Sequence, residues 1–394
     1  MSIDLSNWLH DNYGQEHMRP GLERIKSALE EIRPLLTHTK IVIIAGTNGK
    51  GETTLRLSQL LKGHHHFAWT SPHILRLTER MRSEKGEISN PELESLVLEC
   101  HQKLSLKKID LSYYEFLFFV FCSWAAKSSP EYLLLEVGLG GRLDAVNVFD
   151  ADLVLLPSIS RDHQEILGRR YDQILTEKLG TLRHKSTLIH FLDNNYLKER
   201  AEITSERLGV KVISLKSMID LPPYEFSLRN QLLAGAAYCF LQTAPFDPSV
   251  WIKSVPILEN RGEILKNALE WYFFGSHNID GLRKLIQFLH HGTYNFGRPP
   301  FDTVIVAFSK RNPADLRVML RMLLKSQIGK IVVTVFDHPK AASLQEIELL
   351  SREEGSEFVQ DIETYILGQK KNQRMLVTGS YYFLGHVKSL LGRR

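Results

Sequence analysis

Short apolar runs alternate with helix-length segments along most of the chain. The runs occupy residues 41–46, 132–138, 152–159, 186–192, 302–308, 330–336 and 374–380, and they are rich in valine, isoleucine and leucine. Strands that are separated by helix-length segments are typical of parallel sheets in α/β proteins. The pattern therefore predicts an α/β fold with two mostly parallel sheets and flanking helices.

A break in this alternation separates the two series of strands. Residues 254–265, SVPILENRGEIL, contain proline, asparagine and glycine, and a new series of strands and helices follows them. Turn-forming residues at such a break are typical of a domain boundary. We therefore predict two domains, a larger one at residues 1–258 and a smaller α/β domain at residues 259–394.

Composition narrows the classes of partner that the protein is expected to have. A net charge of +4 from 49 basic and 45 acidic residues is mild, and the sequence has no dense basic block. Nucleic acid and anionic membranes are therefore not expected as partners. The three cysteines form no CxxC pair, so neither a disulfide framework nor a zinc site is predicted, and a reducing cytoplasm fits. The most apolar segment, residues 116–126, is too short to span a bilayer.

The first apolar run leads into a glycine-rich stretch, AGTNGKG at residues 45–51, after which a helical pattern begins. Glycines allow the backbone to approach phosphate oxygens, Lys50 supplies a positive charge, and the helix presents its free N–H groups. This combination predicts a P-loop ATPase-type domain, although a glycine-rich turn without a ligand is the alternative. The predicted nucleotide-binding residues are Gly46, Thr47, Asn48, Gly49, Lys50, Gly51, Glu52 and Thr53.

Glu52 stands where a hydroxyl would normally follow such a loop. A carboxylate beside a triphosphate is unfavourable unless Mg²⁺ lies between the two. Thr53 or Thr54 could supply the hydroxyl instead. The sequence thus predicts a phosphate site with one unexplained negative charge.

Two further strands are followed by polar residues. Glu136 ends the strand at 132–138, and the turn after it carries Arg142, Asp144 and Asn147. Asp162 and His163 follow the next strand, and Glu177 and Lys178 lie on the helix beyond. Ligands of open α/β sheets bind at the carboxyl ends of the strands, so both sets are predicted to converge on one metal and phosphate centre. Taken alone, Lys178 could instead form a surface salt bridge with Glu177, and His163 could be an ordinary histidine at a helix start.

These motifs resemble the folylpolyglutamate synthase/dihydrofolate synthase family of the Mur ligase superfamily. The matching stretches, in the family's order, are GLERIKSAL, AGTNGKG, TSPHILRLTERMR, YYEF, EVGLGGRLDAVN, DHQEILG, EKLG, GSHN and LVTGSYYFLGHV. The resemblance implies an N-terminal domain that binds ATP and folate, and a Rossmann-like C-terminal domain for glutamate ligation.

The resemblance also implies roles for individual residues. It implies that Lys50 holds the ATP phosphates, that Ser71, Glu136 and His163 bind Mg²⁺, that Lys178 is carbamylated, that His277 is catalytic and that Arg261 binds the nucleotide. Oxygen ligands suit Mg²⁺, and histidine is an acceptable minority ligand. The implied cofactors are therefore ATP and Mg²⁺.

The implied reaction joins L-glutamate to a carboxylate of folate or dihydropteroate. The carboxylate attacks the γ-phosphate of ATP, and the amino group of glutamate then displaces phosphate from the acyl phosphate. We expect a cytoplasmic monomer. Tyr113, Tyr114 and Phe116 could stack on a pterin ring, but the strongly apolar helix at residues 111–126 favours core packing for most of its aromatic residues.

Several positions in the C-terminal half depart from the family's pattern. Phe274 stands in place of an aspartate three residues before His277, Ile279 replaces a proline, and Glu259-Asn260-Arg261 replaces P-G-R. Two alternatives therefore remain beside an active folate ligase: a ligase with a changed acceptor or amino acid, and a catalytically silent nucleotide- or folate-binding protein. The identity of the product distinguishes a ligase with a changed acceptor or amino acid from an active folate ligase. ATP binding without turnover indicates the catalytically silent binding protein.

Overall fold

The computed structural model describes residues 4–15, 19–252, 258, 263–266, 269–292, 297, 299–369 and 372–392. Contacts between residues divide the chain into two compact units, one of residues 1–221 and 227–255 and one of residues 222–226 and 256–394. The domain boundary predicted after residue 258 falls in a stretch, residues 253–262, of which only Leu258 is described. That boundary stays a prediction.

Strands and helices alternate through most of the described residues. The strands before residue 253 are β1 (Lys40–Ile44), β2 (His66–Trp69), β3 (Met81–Ser83), β4 (Gly86–Glu87), β5 (Tyr132–Glu136), β6 (Leu153–Leu156), β7 (Thr187–His190) and β8 (Lys211–Ser214). The helices there are α1 (Leu5–Tyr13), α2 (Glu23–Ala28), α3 (Lys50–Leu60), α4 (Asn90–Lys107), α5 (Tyr113–Ala126), α6 (Gln164–Leu167), α7 (Tyr171–Leu179), α8 (Asn195–Arg207), α9 (Phe226–Leu241) and α10 (Pro248–Ile252).

A second set of elements follows residue 262. Its strands are β9 (Glu263–Lys266), β10 (Glu270–Phe274), β11 (Thr303–Ala307), β12 (Lys330–Thr334), β13 (Glu357–Val359) and β14 (Arg374–Gly379). Its helices are α11 (Ile279–His291), α12 (Pro313–Lys325), α13 (Leu344–Glu354), α14 (Ile362–Leu367) and α15 (Tyr381–Gly392). All seven strands that the apolar runs predict are present in the two sets.

The first sheet has the strand order β4-β3-β2-β5-β1-β6-β7-β8. The pairs from β2 to β8 are parallel, whereas β3 and β4 add an antiparallel edge. The second sheet has the order β13-β12-β11-β14-β10-β9, in which only the β9–β10 pair is antiparallel. These two sheets confirm the predicted α/β fold.

The central strands of the first sheet are buried on both faces, as parallel strands covered by helices must be. In β1, Ile41 and Ile43 belong to one apolar cluster, whereas Val42 and Ile44 belong to the cluster on the opposite face. The first cluster includes α4 and α5, and the second includes α3 and α9. A continuous apolar run rather than an alternating one is therefore what this strand requires.

Helix α5 is the most apolar helix of the first unit and lies in its core. Phe116, Phe118, Phe119 and Phe121 are all buried, and the ring of Phe116 stacks on that of Tyr13 with centroids 3.9 Å apart. The core-packing interpretation of this helix is therefore confirmed for its phenylalanines. Among the described residues, no helix combines the length and the apolar character that a membrane span requires.

We expect Phe118→Ala to lower the free energy of unfolding of the first unit by about 3–5 kcal/mol, the range for removing a buried aromatic ring. Phe118 is fully buried and its ring contacts those of Trp69 and Phe121, with centroids 5.6 Å and 6.1 Å away. Urea unfolding followed by fluorescence measures the change. The control is Leu106→Ala on α4, because Leu106 is 78% exposed and its loss should change stability by less than about 0.5 kcal/mol. Equal stability of the two variants would contradict the core assignment.

Candidate phosphate and metal site

Four parallel strands of the first sheet end at one edge, and the chain turns there into loops that carry polar residues. Strand β1 lies between β5 and β6, and β2 lies beyond β5. The loop of residues 45–49 follows β1, Ser71 follows β2, Glu136 ends β5, and residues 157–163 follow β6. The chain runs from β1 to β2 on one side of β1, and later from β5 to β6 on its other side, so this edge contains the crevice in which open α/β sheets bind ligands.

The glycine-rich loop after β1 is held in place by the loop after β6. The N–H of Thr47 donates to the carbonyl oxygen of Ser158 at 3.0 Å. The N–H of Asn48 donates to Ser158 Oγ at 3.0 Å, and that hydroxyl donates back to the carbonyl oxygen of Asn48 at 2.8 Å. Thr47 Oγ1 also donates to the carbonyl oxygen of Ser160 at 3.1 Å. These contacts fix the conformation of the loop.

Gly49 forms the tightest point of this loop, immediately before α3. Its φ of +90° lies in the left-handed region, which glycine adopts without a steric penalty. A Cβ atom on Gly49 would lie 2.6 Å from Asn230 Oδ1, so the position also has no room for a side chain. Lys50 follows as the first residue of α3, and its Nζ donates to the carbonyl oxygen of Thr47 at 3.1 Å. The loop therefore combines a helix N-terminus with a lysine that folds back over it, which suits an anion.

Glu52 faces the protein interior, where its charge is paired. Its carboxylate accepts hydrogen bonds from Arg56 Nε at 3.0 Å and Arg56 Nη2 at 2.7 Å. Ser227 Oγ donates to the same carboxylate at 2.7 Å and Asn230 Nδ2 at 2.8 Å, and both of these residues lie on α9. Glu52 is 4% exposed and Arg56 is 2% exposed. The charge that the sequence left unexplained is therefore compensated inside the fold.

The two threonines after Glu52 are also buried. Thr54 Oγ1 donates to the carbonyl oxygen of Lys50 at 3.0 Å, a bond within the first turns of α3. Thr53 is fully buried, and its Oγ1 has no hydrogen-bond partner among the described residues. Nucleotide binding by Thr53 stays a prediction.

Ser71 and Glu136, two of the three predicted magnesium ligands, are in contact. The N–H of Ser71 donates to Glu136 Oε2 at 3.0 Å, and Glu136 is 3% exposed. His163, the third, has a half-exposed side chain whose Nδ1 lies 3.8 Å from Glu165 Oε1. Its backbone N–H donates to the carboxylate of Asp162 at 3.1 Å. Within the described part of the chain, no three His, Cys, Asp or Glu side chains form a metal-binding group, and the predicted set contains only two such side chains.

Lys178 is buried on α7, which excludes the surface salt bridge that the sequence allowed. Burial, together with the positive charge of Lys50, lowers the pKa of Lys178 from 10.5 to about 7. The negative charges of Asp162 and Asp144 act in the opposite direction but do not restore the usual value. The amine is therefore mostly neutral above pH 7. Glu177 instead pairs with the exposed Arg142, at 2.9 Å.

A buried network that the sequence did not identify supports the turn after Glu136. Tyr114 OH donates to Asp144 Oδ1 at 3.2 Å and accepts from the N–H of Gly138 at 3.1 Å and from Trp69 Nε1 at 3.3 Å. Asp144 also accepts from the N–H of Leu139 at 2.9 Å. Burial raises the pKa of Asp144 to about 6 in spite of these bonds. The YYEF stretch could have pointed to Tyr114, but its distance of 30 residues from Asp144 conceals the contact.

His277 lies in the second unit, just after β10. Its ring lies against that of Tyr381, with centroids 5.3 Å apart. Phe274, the last residue of β10, packs against an apolar cluster that includes Phe288, at a centroid distance of 6.1 Å. The aromatic ring at position 274 is therefore part of the packing of this unit. Arg261, the predicted nucleotide-binding residue near the boundary, lies outside the described residues.

We expect Tyr114→Phe to destabilise the first unit by about 1–3 kcal/mol, because the buried Asp144 and the Gly138 N–H each lose a partner. Thermal unfolding and urea unfolding measure the change. Tyr196→Phe is the matched control, since Tyr196 is half exposed and its hydroxyl lies 3.5 Å from Asp172. If both variants unfold like the parent protein, Tyr114 does not hold the turn.

Comparison with known proteins gives one consistent group of relatives, although no family model matches the chain. The dihydrofolate synthase/folylpolyglutamate synthase of Bacillus subtilis (strain 168) is 25% identical, in an alignment that covers 98% of each chain. The protein of the same name from Escherichia coli (strain K12) is 34% identical over 47% of this chain and 44% of its own length.

Solved structures of the same group have the same fold. A bifunctional folylpolyglutamate synthase/dihydrofolate synthase with Mn, AMPPNP and L-glutamate bound matches with a TM-score of 0.80 and 24% identity, over 98% of each chain. Escherichia coli FolC in complex with DHPP and ADP matches with a TM-score of 0.80 and 23% identity, over 99% of this chain and 98% of its own. The chain is therefore similar, over 98% of its length, to a protein named dihydrofolate synthase/folylpolyglutamate synthase.

Proposed function

We propose that this protein is an ATP-dependent ligase that joins L-glutamate to a carboxylate of folate or dihydropteroate through an acyl phosphate. One arrangement carries the proposal: the glycine-rich loop with Lys50 and the Ser71–Glu136 contact lie at the same edge of the first sheet. The relatives named dihydrofolate synthase/folylpolyglutamate synthase support it, as do the nucleotides, L-glutamate and DHPP bound in structures of the same fold.

The phosphate part of this proposal follows from the loop. Backbone N–H groups at the start of α3 and the ammonium of Lys50 offer several donors to the β- and γ-phosphates. Preorganised donors stabilise the charge of a transferring phosphoryl group without reorganisation during the reaction. The contacts of Ser158 with Thr47 and Asn48 keep the loop preorganised. Gly46, Gly51 and Thr53 complete the proposed nucleotide-binding set.

The donor chemistry at Ser71 and Glu136 fits Mg²⁺. A buried carboxylate and a hydroxyl are hard oxygen ligands of the kind that Mg²⁺ prefers, and it commonly retains several waters beside them. We propose that Ser71, Glu136 and His163 hold the ion. A divalent cation there would offset the charge of the phosphates.

Residues of the chain then account for the remaining requirements of an acyl phosphate mechanism. Lys50 orients the γ-phosphate toward the attacking carboxylate, so that the two reactants are held in the orientation that the reaction requires. The amino group of glutamate displaces phosphate in the second step, for which we propose His277 and the C-terminal domain, residues 259–394. We also propose that Arg261 binds the nucleotide.

We further propose that the protein acts as a monomer in the cytoplasm, without a nucleic-acid or membrane partner. The mild net charge supports the absence of a polyanionic partner. Cys100, Cys122 and Cys239 are free thiols, which suits a reducing compartment.

We expect Lys50→Ala and Glu136→Ala each to lower ligation by at least about hundredfold, because each removes a charge that contacts the phosphate or the metal ion. Purified protein is incubated with ATP, Mg²⁺, labelled glutamate and either dihydropteroate or tetrahydrofolate, and the product is identified by mass spectrometry. Lys62→Ala is the control, since Lys62 is exposed just after α3. Normal turnover by either of these two variants would contradict the assignment of that residue to the phosphate and metal site. ADP formation without a glutamylated product would favour a changed substrate.

We propose, from the family resemblance and the low pKa, that Lys178 is carbamylated. Carbamylation requires a neutral amine. With a pKa of about 7, the amine of Lys178 is mostly neutral above pH 7 and becomes protonated as the pH falls below 7. We expect ¹³C NMR with labelled bicarbonate to show a carbamate signal that is stronger at pH 8 than at pH 6. The signal should be absent from Lys178→Met. Identical spectra of the parent protein and the variant would show that Lys178 carries no carbamate.

A further inference from the structure

The carboxylate of Glu52 links the helix that follows the phosphate loop to helix α9. Glu52 and Arg56 lie on α3, whereas Ser227, Asn230 and Gln231 lie on α9. Glu52 accepts from Arg56, Ser227 and Asn230, and Arg56 Nη1 donates onward to Gln231 Oε1 at 3.0 Å. Two helices that lie far apart in the sequence are thus joined by one polar network.

The network is electrically neutral and shielded from water. One carboxylate and one guanidinium face each other, with side-chain exposures of 6% for Glu52 and 1% for Arg56. A buried charge that lost its partner would be costly, so neither side chain can turn away from the other toward a ligand. The negative charge of Glu52 is therefore fixed beneath the loop.

The network also determines how the carboxamide of Asn230 is oriented. An ionised carboxylate only accepts hydrogen bonds, so the NH₂ group of Asn230 must face Glu52 Oε2. The carbonyl oxygen then lies against Gly49, where it fills the place of the missing Cβ atom. Glu52 consequently holds the neutral carboxamide of Asn230 between its own carboxylate and Gly49, the tightest point of the phosphate loop.

We propose that Glu52, acting through Asn230, is a positioning residue for the phosphate loop. It keeps a neutral carboxamide packed on Gly49 and confines the negative charge to the far side of that carboxamide from the loop. The inference rests on the proposed function only in that the loop binds the phosphates of ATP. Interactions between charges strengthen as their separation falls, so the location of this charge, and not only its presence, sets the affinity for nucleotide.

An exchange of the two polar groups, in the double variant Glu52→Gln with Asn230→Asp, tests the proposal. The glutamine side chain introduced at position 52 is isosteric with glutamate, and its carbonyl oxygen can still accept from Arg56 and Ser227. Its NH₂ group can donate to the new carboxylate at position 230. Hydrogen bonds, side-chain volumes and net charge are retained, while the negative charge moves onto the loop side. We expect the thermal unfolding midpoint to fall, because the buried Arg56 no longer faces a carboxylate, and the affinity of the folded variant for AMPPNP with Mg²⁺ to fall by about tenfold or more.

Calorimetric titration with AMPPNP measures binding independently of catalysis. Parent affinity in a folded exchange variant would overturn the proposal, because the position of the charge would then have no effect on the loop. A parent protein that binds AMPPNP but forms no glutamylated product would overturn the ligase assignment alone. A parent protein that does not bind the nucleotide would overturn both.

Asn230→Ala provides a second test if the exchange variant does not fold. This change leaves the Glu52–Arg56 pair intact and removes only the carboxamide that supports Gly49. We expect a rise of about fivefold or more in KM for ATP, with a smaller change in kcat, because the loop is loosened before the nucleotide binds. An unchanged KM in a folded Asn230→Ala variant would overturn the proposal.

Discussion

Parallel pairing of β1 with β5 on one side and β6 on the other is the constraint on which the candidate site depends. Because the three strands run in the same direction, their carboxyl ends meet at one edge, and Lys50, Glu136 and Ser158 lie at or just beyond these ends. The strands are covered on both faces by helices, so a slip in register would move each side chain into the apolar cluster on the opposite face and disturb the packing of both clusters. The packing of the sheet thus holds the polar loops at fixed distances, as the Thr47–Ser158 and Ser71–Glu136 contacts show.

Burial then determines the state of each charged group near this edge. Glu52 is hydrogen-bonded to Arg56 and to donors of α9, whereas burial shifts the pKa values of Lys178 and Asp144 toward their neutral forms. Desolvation disfavours an isolated charge, and a specific partner reverses the effect only where it is close enough to hydrogen bond. The same interior therefore holds a hydrogen-bonded ion pair and an amine whose pKa is lowered to about 7.

Phe274, in the second unit, shows how packing accommodates a departure from a family pattern. Phe274 stands where the resemblance calls for an aspartate, and its ring belongs to the apolar cluster that also contains Phe288. A carboxylate at that place would lie against apolar side chains and would require desolvation.

The apolar runs by themselves determined the fold class and seven of the strands, because a parallel strand buried on both faces must be continuously apolar. The loop motif likewise determined the position of the candidate phosphate site, since glycine spacing and a following lysine are local properties of the chain. The strands β3, β4 and β13 have only two or three residues, which is too few to produce a pattern of their own. Only the tertiary structure decided that α9 supplies donors to Glu52, that Tyr114 reaches Asp144 and that Lys178 is buried, because each of these depends on contacts between segments that are far apart along the chain.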